Sequence, residues 1–178
     1  MPEMPEVQGL VEFLRGRLTD RTVTRATVAN IAALKTYDPP ITALVGATVT
    51  GVERHGKFLD IATAGTAEGG LAPHLVFHLA KAGWLRWYDA LPSTVIRPGK
   101  TPIALRVGFD DGSGFDLTEA GTKKSLAVSV VRDPDEVPGI ARLGPDPLDP
   151  AFDRDAFASL LAGRRTQIKG VLRDQSII

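Results

Sequence analysis

Between Arg21 and Val131 the apolar residues arrive in short runs rich in Val, Thr and Ile, each broken within a few residues by Gly, Pro or Asp. Runs of this length and alternation suit half-buried strands, not packed helices. Thr22 to Val28, Thr48 to Val52, Phe58 to Thr63, Leu75 to Leu79 and Trp84 to Trp87 read as strands. The stretch from Ala104 to Leu117 carries Asp110-Asp111-Gly112-Ser113-Gly114 at its centre, a hairpin signal because Asp and Gly tolerate positive φ. Ser125 to Val131 supplies a further strand. A chain divided in this way folds as antiparallel sheets.

The ends have a different texture. After Pro5, which suits a first helical turn, Val7, Leu10, Val11, Leu14 and Leu18 recur at helical spacing, with Glu6, Glu12, Arg15 and Arg17 on other faces. Pro134, Pro138, Pro145, Pro147 and Pro150 then crowd a short span, too dense for helix or central strand and typical of a connector. Beyond it Asp153 to Leu161 reads as a short capped helix. Gln167 to Ile178 begins another, with Ile168, Val171 and Leu172 on one face. The expected class is therefore α+β: a β-sandwich with a leading helix over residues 1–133, a Pro-rich connector over 134–150, and a helical segment over 151–178. So small a helical tail cannot bury its own apolar stripe, and the expectation is the front half of a longer helical unit.

With 43% apolar and 24% charged residues the chain can bury a real core, which excludes global disorder. Its 21 Lys and Arg balance 21 Asp and Glu, so any site for a polyanion must be a local concentration of charge. The absence of cysteine removes disulfides, thiolate nucleophiles and cysteine zinc sites. Acidic Glu3 and Glu6 open the chain, and no stretch of 18 apolar residues occurs, so a soluble cytoplasmic protein without membrane contact is expected. No Gly-rich phosphate loop follows a strand. His74 and His78 stand four apart, about 13 Å along a strand, too far to share one metal ion.

If Met1 is removed, the chain begins with the secondary amine of Pro2 beside the carboxyl of Glu3. An α-amine titrates near pH 7.7–8.0, which leaves a useful neutral fraction at physiological pH. Its attack on an aldehyde-like carbon gives an iminium, an electron sink that acidifies the neighbouring C–H, while Glu3 can move the protons. The plainer reading is that Pro2 and Pro5 precede and start a helix whose dipole Glu3 and Glu6 complement. A second concentration of chemistry lies near the C-terminus. There Arg164, Arg165, Lys169 and Arg173 oppose only Asp174, as a solvated helix face or a phosphate-binding patch.

The opening Met-Pro-Glu-Met-Pro-Glu-Val resembles the start of the formamidopyrimidine-DNA glycosylase and endonuclease VIII family. Arg54-His55-Gly56-Lys57-Phe58-Leu59 resembles that family's Arg-Gly-Lys strand element. His78-Leu79-Ala80-Lys81-Ala82-Gly83 is similar to its His-Leu-x-Met-Thr-Gly segment, Leu143-Gly144-Pro145-Asp146-Pro147-Leu148 to its connector, and Gln167 through Gln175 to its Ile-Lys-x-x-Leu-x-Asp-Gln helix. The resemblance implies a base-excision repair enzyme. It would remove oxidised bases and cut the resulting abasic site by β-elimination, as a monomer on double-stranded DNA that carries such lesions.

On that likeness Pro2 would form a Schiff base with C1′ and Glu3 would protonate the sugar. Glu6 would hold the terminus, and Lys57 would lie near the phosphates, with Gly56 allowing close approach to a ligand. Lys81, Lys123, Arg164 and Lys169 would contact DNA, and residues 151–178 would begin a helix-two-turn-helix domain. The sequence departs from the family where Lys81 replaces an apolar wedge and where Thr118 to Ser125 lacks an aromatic one. It also departs in having no four-cysteine zinc finger, so no cofactor is expected in this chain. These departures keep a second reading open, that of a lyase-only or noncatalytic homologue that binds damaged DNA.

Overall fold

The first helix, α1 (Met4–Leu18), starts where Glu3 and Glu6 form a reciprocal capping box and Pro5 occupies the first turn. In the computed structural model, which describes residues 2–65, 70–99 and 101–178, Val7, Val11, Leu14 and Leu18 are buried along one stripe of this helix. They join a single apolar cluster with inward residues of both sheets, among them Leu59, Leu75, Leu105 and Phe115. The expected removal of Met1 falls on a residue outside those described.

The strands are β1 (Val23–Val28), β2 (Val49–His55), β3 (Phe58–Thr63), β4 (His74–His78), β5 (Gly83–Tyr88), β6 (Ile103–Phe109), β7 (Gly114–Glu119) and β8 (Ala127–Val131). They form two four-stranded sheets, β1-β6-β7-β5 and β2-β3-β4-β8, with antiparallel pairing between neighbours. This is the α+β sandwich with a leading helix that the sequence predicts. The Asp110–Gly114 stretch turns as expected, with Gly112 at φ +82°.

Two hairpin-scale details matter for the site. His55 pairs with Phe58, so Gly56 and Lys57 form a two-residue turn between β2 and β3, the two strands read there from the sequence. Gly56 takes φ +56°, the left-handed region that glycine enters without steric penalty. A side chain there would meet Gln175 at 2.7 Å and Leu143 at 2.9 Å, so the space this glycine leaves is taken by those two side chains.

The outer face of the β2-β3-β4-β8 sheet is covered by the connector, where Val137, Ile140 and Leu143 pack with Phe58, Val76 and Val131 in a second cluster. Downstream, α2 (Arg154–Leu161) is capped by Asp153, whose carboxylate accepts from Asp155 N and Ala156 N at 3.0 and 2.8 Å. The last helix, α3 (Ile168–Val171), is a correction: it makes one turn and does not run on toward Ile178. Gly170 weakens the helix, and Asp174 takes the backbone N–H and hydroxyl of Ser176, which turns the chain instead. Val171 is buried while Ile168 and Leu172 stay exposed, so the anticipated apolar stripe has one buried member. Gly144 N donates to Gln175 O at 2.8 Å and ties this end to the connector.

Candidate active site

The N-terminus of α1 and the β2–β3 turn meet because the helix is fastened along β2. Arg15 donates twice to Val52 O, at 3.1 and 2.7 Å. Arg54, with its side chain 4% exposed, donates to Gln8 Oε1 at 2.9 Å, to Gly56 O at 3.1 Å and to both oxygens of Asp146 at 2.8 and 2.6 Å. One guanidinium thus joins the helix, the turn and the connector, using the fork geometry that suits a carboxylate.

With the turn so placed, Lys57 Nζ lies 2.5 Å from Glu3 Oε2. Glu3 N in turn donates to Glu6 Oε2 at 2.5 Å, so Glu6 fixes the backbone on which Pro2 and Glu3 sit. The hydrogen bond from Lys57 holds the Glu3 carboxyl below its ordinary value, against a smaller opposing effect of desolvation, and the charge of Arg173 acts in the same direction. Beside the turn, His78 packs on Phe58 with ring centroids 4.8 Å apart, and its Nδ1 accepts from Ala80 N at 3.1 Å. Burial, aided by the Lys57 charge, pushes His78 below its ordinary value and favours the neutral ring.

Pro2 and Glu6 line a cleft of about 660 Å³ whose other walls are Leu10, Phe13, Lys81 and Trp84. The expected residues Glu3, Glu6 and Lys57 are thus joined by direct contacts, and Pro2, next to Glu3 in the chain, lines the cleft together with Glu6 and Lys81. Lys123 is exposed in the loop after β7 and does not line it. Glu119 fixes that loop by accepting from Ser125 N and Leu126 N at 2.6 and 2.9 Å. Arg164 is exposed after α2 and donates to Leu160 O at 2.8 Å, and Lys169 is exposed on α3.

Sequence reasoning missed three contributors. Arg173, counted only within a basic run, shares a second cleft with Phe58, His78 and Arg142. Arg54 stood in the quoted motif without a role. Trp84 was read only as a strand residue. Its exposure of 63% emerges from its place on the outer face of an edge strand.

His74 and His55 each reach the buried carboxylate of Asp60, at 2.9 and 3.2 Å. Among the described residues no group of three or more His, Asp or Glu side chains is arranged to hold a metal ion. With no cysteine in the sequence, this chain's residues do not fit a four-cysteine zinc finger. Among the described residues no helix is long and apolar enough to cross a membrane.

Solved structures define the fold first. The chain superposes on a Lactococcus lactis formamidopyrimidine-DNA glycosylase crystallised with DNA containing an abasic site, with a TM-score of 0.77 at 21% identity. That match covers 99% of this chain and 64% of the other. A complex of the Lactococcus protein with another modified DNA and an inhibitor gives 0.78 at 22% identity, covering 99% and 62%. The fold is thus that of the front part of these DNA glycosylases.

The family follows from sequence. The family model for the formamidopyrimidine-DNA glycosylase N-terminal domain matches residues 1–125. Glycosylases of that name from Moorella thermoacetica and Mycolicibacterium vanbaalenii are 34% and 32% identical over the whole of this chain. This chain belongs to the formamidopyrimidine-DNA glycosylase family, and it spans 62% of the length of each of those two relatives.

Proposed function

We propose that this chain acts on double-stranded DNA in base-excision repair, as a glycosylase for oxidised bases with abasic-site lyase chemistry, through the imino group of Pro2 freed by removal of Met1. The observation that carries the reading is the placement of Pro2 at a cleft beside a Glu3–Lys57 ion pair of 2.5 Å, in a chain of this family. A monomer in the bacterial cytoplasm is the expected setting.

The ionised Glu3 is suited first to accept a proton from the Pro2 ammonium, which frees the nitrogen lone pair. That pair forms a bond to C1′. Where the base is present, it leaves with the N–H proton as the new bond forms, and the proton on Glu3 then passes to O4′ as the C1′–O4′ bond opens. At an existing abasic aldehyde a carbinolamine forms and loses water, with the proton on Glu3 passing to the departing hydroxyl. Either route gives an iminium, which draws electrons from the C2′–H bond. Loss of that proton and cleavage of C3′–O release the 3′ phosphate, completing β-elimination. Lys57 supplies positive charge beside the reacting sugar and phosphates. Glu6 positions the terminus through Glu3 N. Arg164 and Lys169 are assigned to phosphate contact, with Lys81 and Lys123 as further DNA contacts, so affinity should fall as salt rises.

Borohydride trapping on an abasic-site duplex tests the central step, with intact mass spectrometry to establish that Met1 is gone. A covalent adduct is expected. Pro2→Gly should weaken it, and retained Met1 should abolish it because an amide nitrogen is not nucleophilic. No adduct, under conditions where a relative enzyme cross-links, overturns the reading. A second reading, binding of abasic DNA without covalent chemistry, is favoured by the charged Lys81 at the cleft rim. Salt-sensitive binding without trapping would select it.

A further inference from the structure

We propose that Trp84 is a nucleobase-stacking residue of the Pro2 cleft, taking the face of a base left without its stacking neighbour beside an abasic site. The inference rests on the DNA reading above and adds a contact residue to it. Other aromatic rings of this region are already occupied. Trp87 stacks on Phe109 at 6.4 Å and meets Phe13 edge-on at 6.0 Å, and Arg17 lies 3.7 Å over Phe13. Trp84 is 63% exposed and has no aromatic or cationic partner among the described residues.

Its mounting is rigid although its ring is free. Gly83 N donates to Leu79 O at 2.8 Å across a turn in which Ala80 takes φ +54°, and a side chain at Gly83 would stand 2.1 Å from Leu79 O. On the other side Trp84 pairs with Thr118, and Ala120 N donates to Ala82 O at 3.2 Å. A ring held on a fixed backbone loses little freedom when it stacks.

Three features select a nucleobase as occupant. The cleft contains the nucleophile whose target, C1′, carries or has lost a base. Lys81 shares the cleft and offers a cation for the adjoining phosphate. The small residues Ala82 and Gly83 line the same cleft as Trp84 and put no bulky side chain into it. An enzyme that reaches into the stack leaves unstacked bases behind, and an aromatic face stabilises one of them whatever its identity.

The test is fluorescence anisotropy of a labelled duplex bearing a tetrahydrofuran abasic analogue, with the 178-residue chain as wild type, Trp84→Ala and Trp84→Phe. Trp84→Ala should weaken binding about tenfold, and Trp84→Phe should recover most of it. Replacing the bases flanking the analogue by further tetrahydrofuran spacers should erase the difference between wild type and Trp84→Ala. Equal affinity of wild type and Trp84→Ala on the first duplex overturns the proposal. So does self-association that Trp84→Ala abolishes while DNA affinity is unchanged, which would assign the surface to a second copy. Wild-type trapping measured in parallel separates the two claims: its absence counts against the lyase chemistry, whereas its presence with equal affinities counts against Trp84 alone.

Discussion

At the scale of single residues the pairing of Glu3 with Lys57 decides the protonation state from which the chemistry starts. Because the hydrogen bond from Lys57 lowers the Glu3 value, the carboxylate is the dominant form at neutral pH, a base before it is an acid. Lys57→Met should return the Glu3 carboxyl toward its ordinary 4.5, a shift that a carbon-detected NMR titration reads directly. Glu3→Gln keeps the shape but cannot carry a proton, and should slow borohydride trapping by about 10²-fold or more. Glu3 and its neighbour Pro2 were legible in the sequence because adjacency in the chain is adjacency in space. Lys57 was legible only through its motif, since nothing local places a residue fifty-odd positions away within 2.5 Å. Trp84 was not legible as a site residue, because exposure depends on what a sheet edge leaves uncovered.

At the scale of elements, β3 joins its neighbours on the outer face through Asp60, which is held between His55 and His74. Burial alone would raise the Asp60 value, but the hydrogen bonds from both histidines outweigh it and hold it below the ordinary 3.8. The hydrogen bond to Asp60 raises each histidine above its ordinary 6.5, against the smaller effect of burial. The sign follows for both ends of the range. The histidine contribution is full below 6.5 and is lost as pH rises through the raised folded values, and the Asp60 contribution is full above 3.8 and is lost as pH falls through its depressed one. Urea unfolding should therefore show Asp60→Asn losing more stability near pH 6 than near pH 9. Strand positions were readable from alternation. The one-turn α3 was not, because the sequence shows an apolar stripe without showing that Asp174 and Ser176 compete for the backbone.

At the scale of the whole molecule, Arg54 is the tie through which α1, the β2–β3 turn and the connector move as one body. Arg54→Met keeps the buried stem but forfeits the hydrogen bonds to Asp146, Gln8 and Gly56. It should lower unfolding free energy by about 2 kcal/mol, measured by urea denaturation, with Asp146 exposed enough to rehydrate and limit the loss. Because the tie sits behind Lys57, the same variant should loosen the Glu3–Lys57 contact, which the Glu3 titration would register as a value nearer its ordinary one. By itself the sequence determined the leading helix, the strand content, the turn at Asp110–Gly114 and the identity of the first residues of the site. Each of these follows from short-range periodicity, turn chemistry or chain adjacency. Only the tertiary structure decided that Gly56 makes room for Gln175, that Lys57 reaches Glu3, and that Trp84 is left open beside Pro2. These depend on how two sheets and a connector are stacked, and close packing of distant segments leaves no periodic trace in the chain.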